Sequence, residues 1–172
     1  MSGRVYLRLT ANKEAVKGES SVSTIGGEDV STLIECDAYT EGCRTAQEAG
    51  SMTPTGTRLY QPITIRKNVD SSSPLIMRAL TDTEPCEAEF LFFRPTKTSG
   101  KQEKFFTITL AEARVCEVKR FLPEEASATG GSAMDVSASG KPPQEMVSFV
   151  FGKISWKHEV GKTEHDDIWQ NQ

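Results

Sequence analysis

One short run interrupts a chain otherwise written for strands: Asp70-Ser71-Ser72-Ser73-Pro74-Leu75-Ile76-Met77-Arg78-Ala79-Leu80. Ser73 is placed to act as N-cap, its hydroxyl facing the orphan N–H groups, and Pro74 at the first helical position has no N–H to strand. Leu75, Ile76, Ala79 and Leu80 then mark an apolar stripe at helical spacing. Strand-like runs flank it at residues 60–67 and 88–94. A single short helix set among strands predicts a mainly β fold: a small closed β-barrel of two antiparallel sheets with the helix packed on its side. It points away from ordinary enzyme architectures.

The strand pattern agrees. Val5, Leu7 and Leu9 alternate with Tyr6 and Arg8, and residues 16–20 turn the chain into a short strand near 21–25. Residues 30–39 read as a strand with Ile34, Cys36 and Ala38 on one face. Residues 87–94 and 104–110 are apolar on both faces, Phe90 and Phe92 on one side and Leu91 and Phe93 on the other, so such strands are covered twice. Residues 59–67 read as a strand whose Pro62 belongs at an edge or bulge, because it has no N–H for a ladder. Residues 113–121 read as a further strand. Near the end, Val147, Phe149 and Phe151 share one parity and Ile154 and Trp156 the other, which predicts a bulge at Gly152. Two stretches lack apolar periodicity and read as loops, 40–58 and 124–144, and residues 161–172 read as a polar tail. The expectation is one domain over residues 1–172.

Composition excludes several function classes. The 172 residues carry 20 Lys and Arg against 24 Asp and Glu, a net charge of −4, with no basic stripe interleaved with aromatics as a nucleic-acid surface needs. No apolar run approaches the ~20 residues that span a bilayer, so no membrane insertion is expected. The first residues alternate like a strand and lack the apolar core of a signal peptide, so synthesis in the cytoplasm is expected, with export by a separate machine. Cys36, Cys43, Cys86 and Cys116 have no C-x-x-C spacing, and His158 and His165 sit outside zinc-ligand spacing with them; free thiols and no metal are expected. His158 reads as a strand-end residue and His165 as a solvated tail residue. No G-x-S-x-G, phosphate loop or H-E-x-x-H is present. Neither a catalytic set nor a cofactor is expected.

The order of the motifs resembles the haemolysin-coregulated protein (Hcp) family, the tube subunit of the bacterial type VI secretion system. The matching residues are Val16-Lys17-Gly18-Glu19-Ser20, Asp70-Ser71-Ser72-Ser73-Pro74-Leu75, Phe90-Leu91-Phe92-Phe93-Arg94-Pro95 and Phe105-Phe106-Thr107-Ile108-Thr109-Leu110-Ala111. Glu145-Met146-Val147-Ser148-Phe149, Ile154-Ser155-Trp156, Asp167 and Trp169 complete the order. The resemblance implies a barrel with a side helix on a subunit of a six-membered ring. Rings stack into a tube driven by a contractile sheath behind a spike, and the tube is exported without a signal peptide, carrying small effector proteins in its lumen. The chain departs from the family in Glu35-Cys36-Asp37-Ala38-Tyr39-Thr40, where many members carry aromatics, and in Ala11-Asn12-Lys13-Glu14-Ala15, which lengthens the first turn.

The resemblance assigns the 40–58 loop to contact with the adjacent ring, making Glu41, Arg44, Gln47, Glu48 and Met52 candidate stacking residues. By the same analogy the 128–132 loop faces the pore, with Thr129 and Ser132 as candidate effector contacts. Ring closure needs one patch to meet a different patch on the neighbour. Tyr60, Pro62, Phe93 and Phe105 are the candidates, with core packing the simple alternative for each aromatic. Two other classes compete with a tube subunit: a monomeric barrel binding a small apolar ligand, and a stand-alone secreted effector.

Overall fold

The computed structural model describes residues 3–123 and 141–169. In chain order the elements are β1 (Arg4–Ala11), β2 (Glu14–Val16), β3 (Thr24–Ile25), β4 (Glu28–Asp29), β5 (Ile34–Cys36), β6 (Ala38–Thr40), β7 (Cys43–Gln47), β8 (Pro54–Tyr60) and β9 (Ile63–Asn68). The helix α1 (Ser73–Thr81) follows, then β10 (Cys86–Pro95), β11 (Gln102–Phe121), β12 (Gln144–Val150), β13 (Lys153–His158) and β14 (Thr163–Ile168).

Antiparallel pairing runs from β1 to β10, β11, β12, β9 and β6. It then returns to β1, because β5 pairs β1 and leads straight into β6 through Asp37, whose N–H donates to the Arg66 carbonyl at 2.7 Å. A ring of neighbours thus encloses the main core, which Leu7, Leu9, Phe90, Ile108, Phe149 and Ile154 fill together with Ile76 and Ala79 of α1. β10 is covered twice, as its sequence requires. Phe90 and Phe92 face the main core, whereas Leu91 and Phe93 join Tyr6, Ile25, Val30 and Leu33 in a second cluster. The outer cover is therefore the segment carrying β3 and β4, and α1 packs into the main core rather than over a second face.

Several expectations are corrected. The strand read at 30–39 is β5 and β6, which change sheets at Asp37. The runs 104–110 and 113–121 are one strand, β11, whose first half pairs β10 and β13 and whose second half pairs β12. The strand bends at Glu112, which adopts φ 53° beside a register shift. The parity change after Phe151 is likewise a crossing between sheets: β12 ends, Gly152 donates toward the carbonyls of Ala111 and Glu112 at 3.2 Å, and β13 begins. The strand read at 59–67 is broken at Gln61-Pro62 into β8 and β9, because Pro62 has no N–H to continue a ladder. The tail holds β14, paired with β13 along its length. The first turn is a tight two-residue hairpin, with Ala11 opposite Glu14 and Asn12 and Lys13 both in the left-handed region that such turns demand.

The helix begins one residue earlier than its pattern predicts. Ser72 is the N-cap and makes no side-chain cap bond; its N–H donates instead to Asp70 Oδ1 at 2.9 Å. The Ser73 hydroxyl is drawn into the barrel wall, accepting from the Asp70 N–H at 3.0 Å and donating to Glu145 Oε1 at 2.6 Å. Lys67 Nζ reaches the same Glu145 oxygen, Asp70 Oδ1 and the Asn68 carbonyl. Arg120 Nε donates to Glu145 Oε2 at 2.8 Å. Charged groups buried in this way persist only when fully paired.

Candidate assembly interface

The stretch read as a loop at 40–58 is the β7–β8 hairpin, and among the described residues neither strand pairs with any other. Its strands show no periodicity because little is buried on either face before Tyr60: Arg44, Gln47 and Arg58 are exposed, and so is Leu59. Thr45, Thr55 and Thr57 supply strand propensity without apolar surface. Cys43 opposes Tyr60 and Arg44 opposes Leu59, and the register slips beyond Thr45. Gly56, at φ 81°, lies within the slipped segment. The tip is closed by the Glu48 N–H donating to the Thr53 carbonyl at 3.1 Å. Met52 sits there at φ 55° and is 79% exposed. A left-handed conformation costs a side-chain-bearing residue about 1–2 kcal/mol, so the tip holds its one large apolar side chain outward at a cost.

A two-stranded hairpin alone is marginal in water, and this one is tied down only at its root. Tyr60 is buried, stacked edge-on against Phe151 at 5.4 Å and tilted against Trp169 at 5.6 Å. Its hydroxyl donates to Asp167 Oδ2, which also receives Arg58 Nε at 2.7 Å. Burial, reinforced by the Asp167 carboxylate, pushes the Tyr60 phenol well above its ordinary range. On the other strand's approach, Glu41 accepts from Trp156 Nε1 at 2.6 Å and from the Tyr39 hydroxyl at 3.0 Å. Burial and then the Glu41 charge push the Tyr39 phenol up likewise. Trp156 in turn stacks on His165, rings 5.9 Å apart and nearly parallel. The last strand and Trp169 therefore brace the hairpin.

The predicted stacking residues divide accordingly. Arg44 and Gln47 are exposed on β7, Glu48 and Met52 form the tip, and Glu41 belongs to the root. The four ring-closure candidates are not brought into one patch. Tyr60 lies in the root, Pro62 is exposed beyond it, Phe93 is fully buried in the second cluster, and Phe105 is half-buried under the Arg94 guanidinium at 4.6 Å. Phe93 thus supports the wall from within and presents no surface. Thr129 and Ser132 lie outside the described residues. Sequence reasoning missed Arg58 and the bracing roles of Asp167 and Trp156; a carboxylate between aromatics in a tail read as solvated was the available signal.

All four cysteines are free, Cys36 and Cys86 buried and Cys43 and Cys116 exposed. Among the described residues no group of three or more His, Cys, Asp or Glu is arranged to hold a metal, and no helix is long and apolar enough to cross a membrane.

Residues 6–158 match the family described as Type VI secretion system effector, Hcp. The chain is 27% identical over 177 residues to the Major exported protein of Pseudomonas aeruginosa, covering 99% of this chain and 98% of that one. Among solved structures, the Hcp1 protein from the E. coli EAEC 042 pathovar superposes with a TM-score of 0.77 at 25% identity, covering 97% of this chain and 99% of that one. An Hcp protein crystal structure superposes with a TM-score of 0.79 at 21% identity, covering 98% and 100%. With the family matched over residues 6–158, most of its length, the chain belongs to the Hcp family, structural tube proteins of the type VI secretion system rather than enzymes.

Proposed function

We propose that this chain is the inner-tube subunit itself, acting as one domain. It forms hexameric rings that stack through the β7–β8 hairpin, carry small effector proteins in the lumen, and leave the cell behind a spike, driven by a contractile sheath and without a signal peptide. The observation that carries this reading is the hairpin. Among the described residues it has no strand partner beyond itself; it exposes both faces up to Tyr60 and is gripped at its root. Such an element is stabilised by what it meets on a neighbour. The interior favours a structural role over ligand binding, since Leu7, Phe90, Phe149 and Ile154 fill the main core. No cofactor is needed for assembly.

Negative-stain imaging and sedimentation velocity of the purified protein test the reading directly. Rings at micromolar concentration are expected, with stacks at higher concentration, and a monomer throughout would overturn it. Replacing residues 44–59 by a short Gly-Ser turn should leave the barrel's thermal unfolding cooperative while abolishing stacks and export. Normal export by that variant would remove the hairpin from the mechanism.

A further inference from the structure

We infer that the turn between β13 and β14 is an acid-opened joint, in which protonation of His158 releases the Gly161 amide while His165 keeps the rest of β14 clamped to Trp156. The chain has two histidines, and both stand on this one pair of strands. Imidazoles are the side chains that change charge between about pH 5 and 8, so mild acid acts on the fold here before it reaches the carboxylates. The joint belongs to the single chain and operates whether or not copies assemble.

His158 closes the turn through its ring. It is half-buried opposite Thr163, and its Nδ1 accepts from the Gly161 N–H at 2.8 Å. The fit is close: a Cβ at position 161 would stand 3.0 Å from that nitrogen. A ring that accepts at Nδ1 carries its proton on Nε2, whereas an imidazolium has N–H on both nitrogens and no acceptor. Protonation therefore sets donor against donor at Gly161. The bond is complete while the ring is neutral and is lost as acid charges it. Lys162 sits in the left-handed region at φ 52°, a conformation that costs a side-chain-bearing residue free energy, so the released turn relaxes rather than recloses.

The groups around this ring are apolar or already engaged. Phe105 and Phe106 of β11 meet it edge-on, with centroids 6.1 and 6.2 Å away. Phe105 carries the Arg94 guanidinium of β10 over its own ring, and Arg94 is paired with Glu103. Lys104, next along β11, is paired with Glu28. Glu159 is held by Lys157 and by the Thr107 hydroxyl. Lys162 and Glu164 flank the turn with opposite charges.

His165 works the other way. Its ring lies 5.9 Å from Trp156 and nearly parallel to it, so a charge on the imidazole is drawn to the indole face. Its charged neighbours are Glu164 and Asp166 on β14, Lys157 opposite Glu164, Lys153 paired with Asp166, and Glu41 on Trp156 Nε1. The middle of β14 tightens in the pH range in which its first residues come free, and the two effects offset each other in the global unfolding midpoint. Opening strips Thr163 and Glu164 from β13 and leaves Lys157 and His158 with an unpaired backbone edge.

Amide exchange of the full chain at about pH 7.5 and about pH 5.5 tests the joint, read as protection factors so that the intrinsic pH dependence of exchange cancels. Protection over residues 159–164 should fall roughly tenfold in acid, as the loss of one hydrogen bond allows, while Asp167 and Ile168 keep theirs. His158→Asn places Oδ1 where Nδ1 stands and does not titrate, so its turn should stay protected at both pH values. His158→Gln carries its acceptor one bond further out and should be unprotected at both. His165→Phe keeps a stacked ring without the charge, so its acid opening should spread to Ile168. Equal wild-type protection at the two pH values would overturn the joint, as would a His158→Asn variant that opens in acid like the wild type. Wild-type acid opening that reaches Ile168 would overturn the clamp at His165.

Discussion

Lys67 Nζ lies 2.9 Å from Glu145 Oε1 with both side chains buried, and this pair joins β9 and β12 to the start of α1 through the Ser73 hydroxyl. Two inward-facing positions of a barrel wall have been given charges instead of aliphatic side chains. Removing one partner strands the other, which costs about 3–5 kcal/mol in a buried pair, whereas replacing both with apolar side chains of similar volume is often neutral. Lys67→Met alone or Glu145→Leu alone should therefore lower the urea midpoint sharply. The double variant should recover most of the loss. Additive losses in the double variant would show that the ion pair is not the unit of stabilisation.

The same pair sets the acid limit of the fold. Burial acts to raise the Glu145 carboxyl, but the Ser73 hydroxyl, Lys67 and Arg120 outweigh it and hold the group below its ordinary value. Asp70 behaves alike: burial opposes, and the Ser72 hydroxyl and Lys67 prevail. Groups lowered in the folded state contribute stability that is complete above their unfolded values, about 4.3 for Glu and 3.9 for Asp, and is lost as pH falls through the folded values. Urea midpoints should therefore be flat from neutral pH down to about pH 5 and fall steadily below it. Glu145→Gln should weaken the protein at pH 7 and flatten that acid limb. An unchanged slope would assign the limb to other carboxylates.

Glu112 and Gly152 mark where both β11 and the β12–β13 chain cross between sheets. A Cβ built on Gly152 would stand 2.9 Å from the Glu112 Cβ, inside any contact real carbons make. Glu112 is itself in the left-handed region. Gly152→Ala should cost about 1–3 kcal/mol, as overpacking does. Glu112→Gly removes the obstructing side chain and suits the positive φ, so it should be tolerated alone and should rescue most of the Gly152→Ala loss. Chemical denaturation of the four proteins gives the coupling directly.

How much of this was legible before the structure follows from what each residue faces. Phe90 and Phe92 against Leu91 and Phe93 declared two buried faces, and both exist, because burial is what alternation records. The Ser-Ser-Pro helix was legible through its apolar stripe, but its cap was not. The Ser73 hydroxyl answers to Glu145, a residue 72 positions away, and local pattern carries no trace of that. The hairpin was invisible for the opposite reason. β7 and β8 bury nothing before Tyr60, so they leave no period, and only the Thr residues and Gly56 hint at strands and a slip. β14 was hidden likewise, with one partner strand among the described residues and every residue but Asp167 exposed. Asp37 and Gly152 show a third limit: parity in the sequence reports a change of face, but cannot distinguish a bulge within one sheet from a crossing to another.

Asp167 and Glu41 hold the two sides of the hairpin root, and they are expected to govern its mobility separately from the stability of the barrel. Each carboxylate accepts two donors, Tyr60 and Arg58 in one case and Trp156 and Tyr39 in the other. Hydrogen bonds to charged groups contribute about 1.5–3 kcal/mol, and here that free energy sits between the hairpin and the barrel rather than inside either. In Asp167→Ala or Glu41→Ala, amide exchange in β7 and β8 should accelerate roughly ten- to a hundredfold, the range for 1.4–2.8 kcal/mol of local opening. Exchange in β10 and β11, which lie in the enclosed core, should keep its wild-type rate. Asp167→Asn should fall between, since an amide oxygen still accepts from Tyr60 but no longer pairs with Arg58. Equal acceleration in core and hairpin would mean that the root carboxylates stabilise the whole fold and do not act as a brace for the projecting strands.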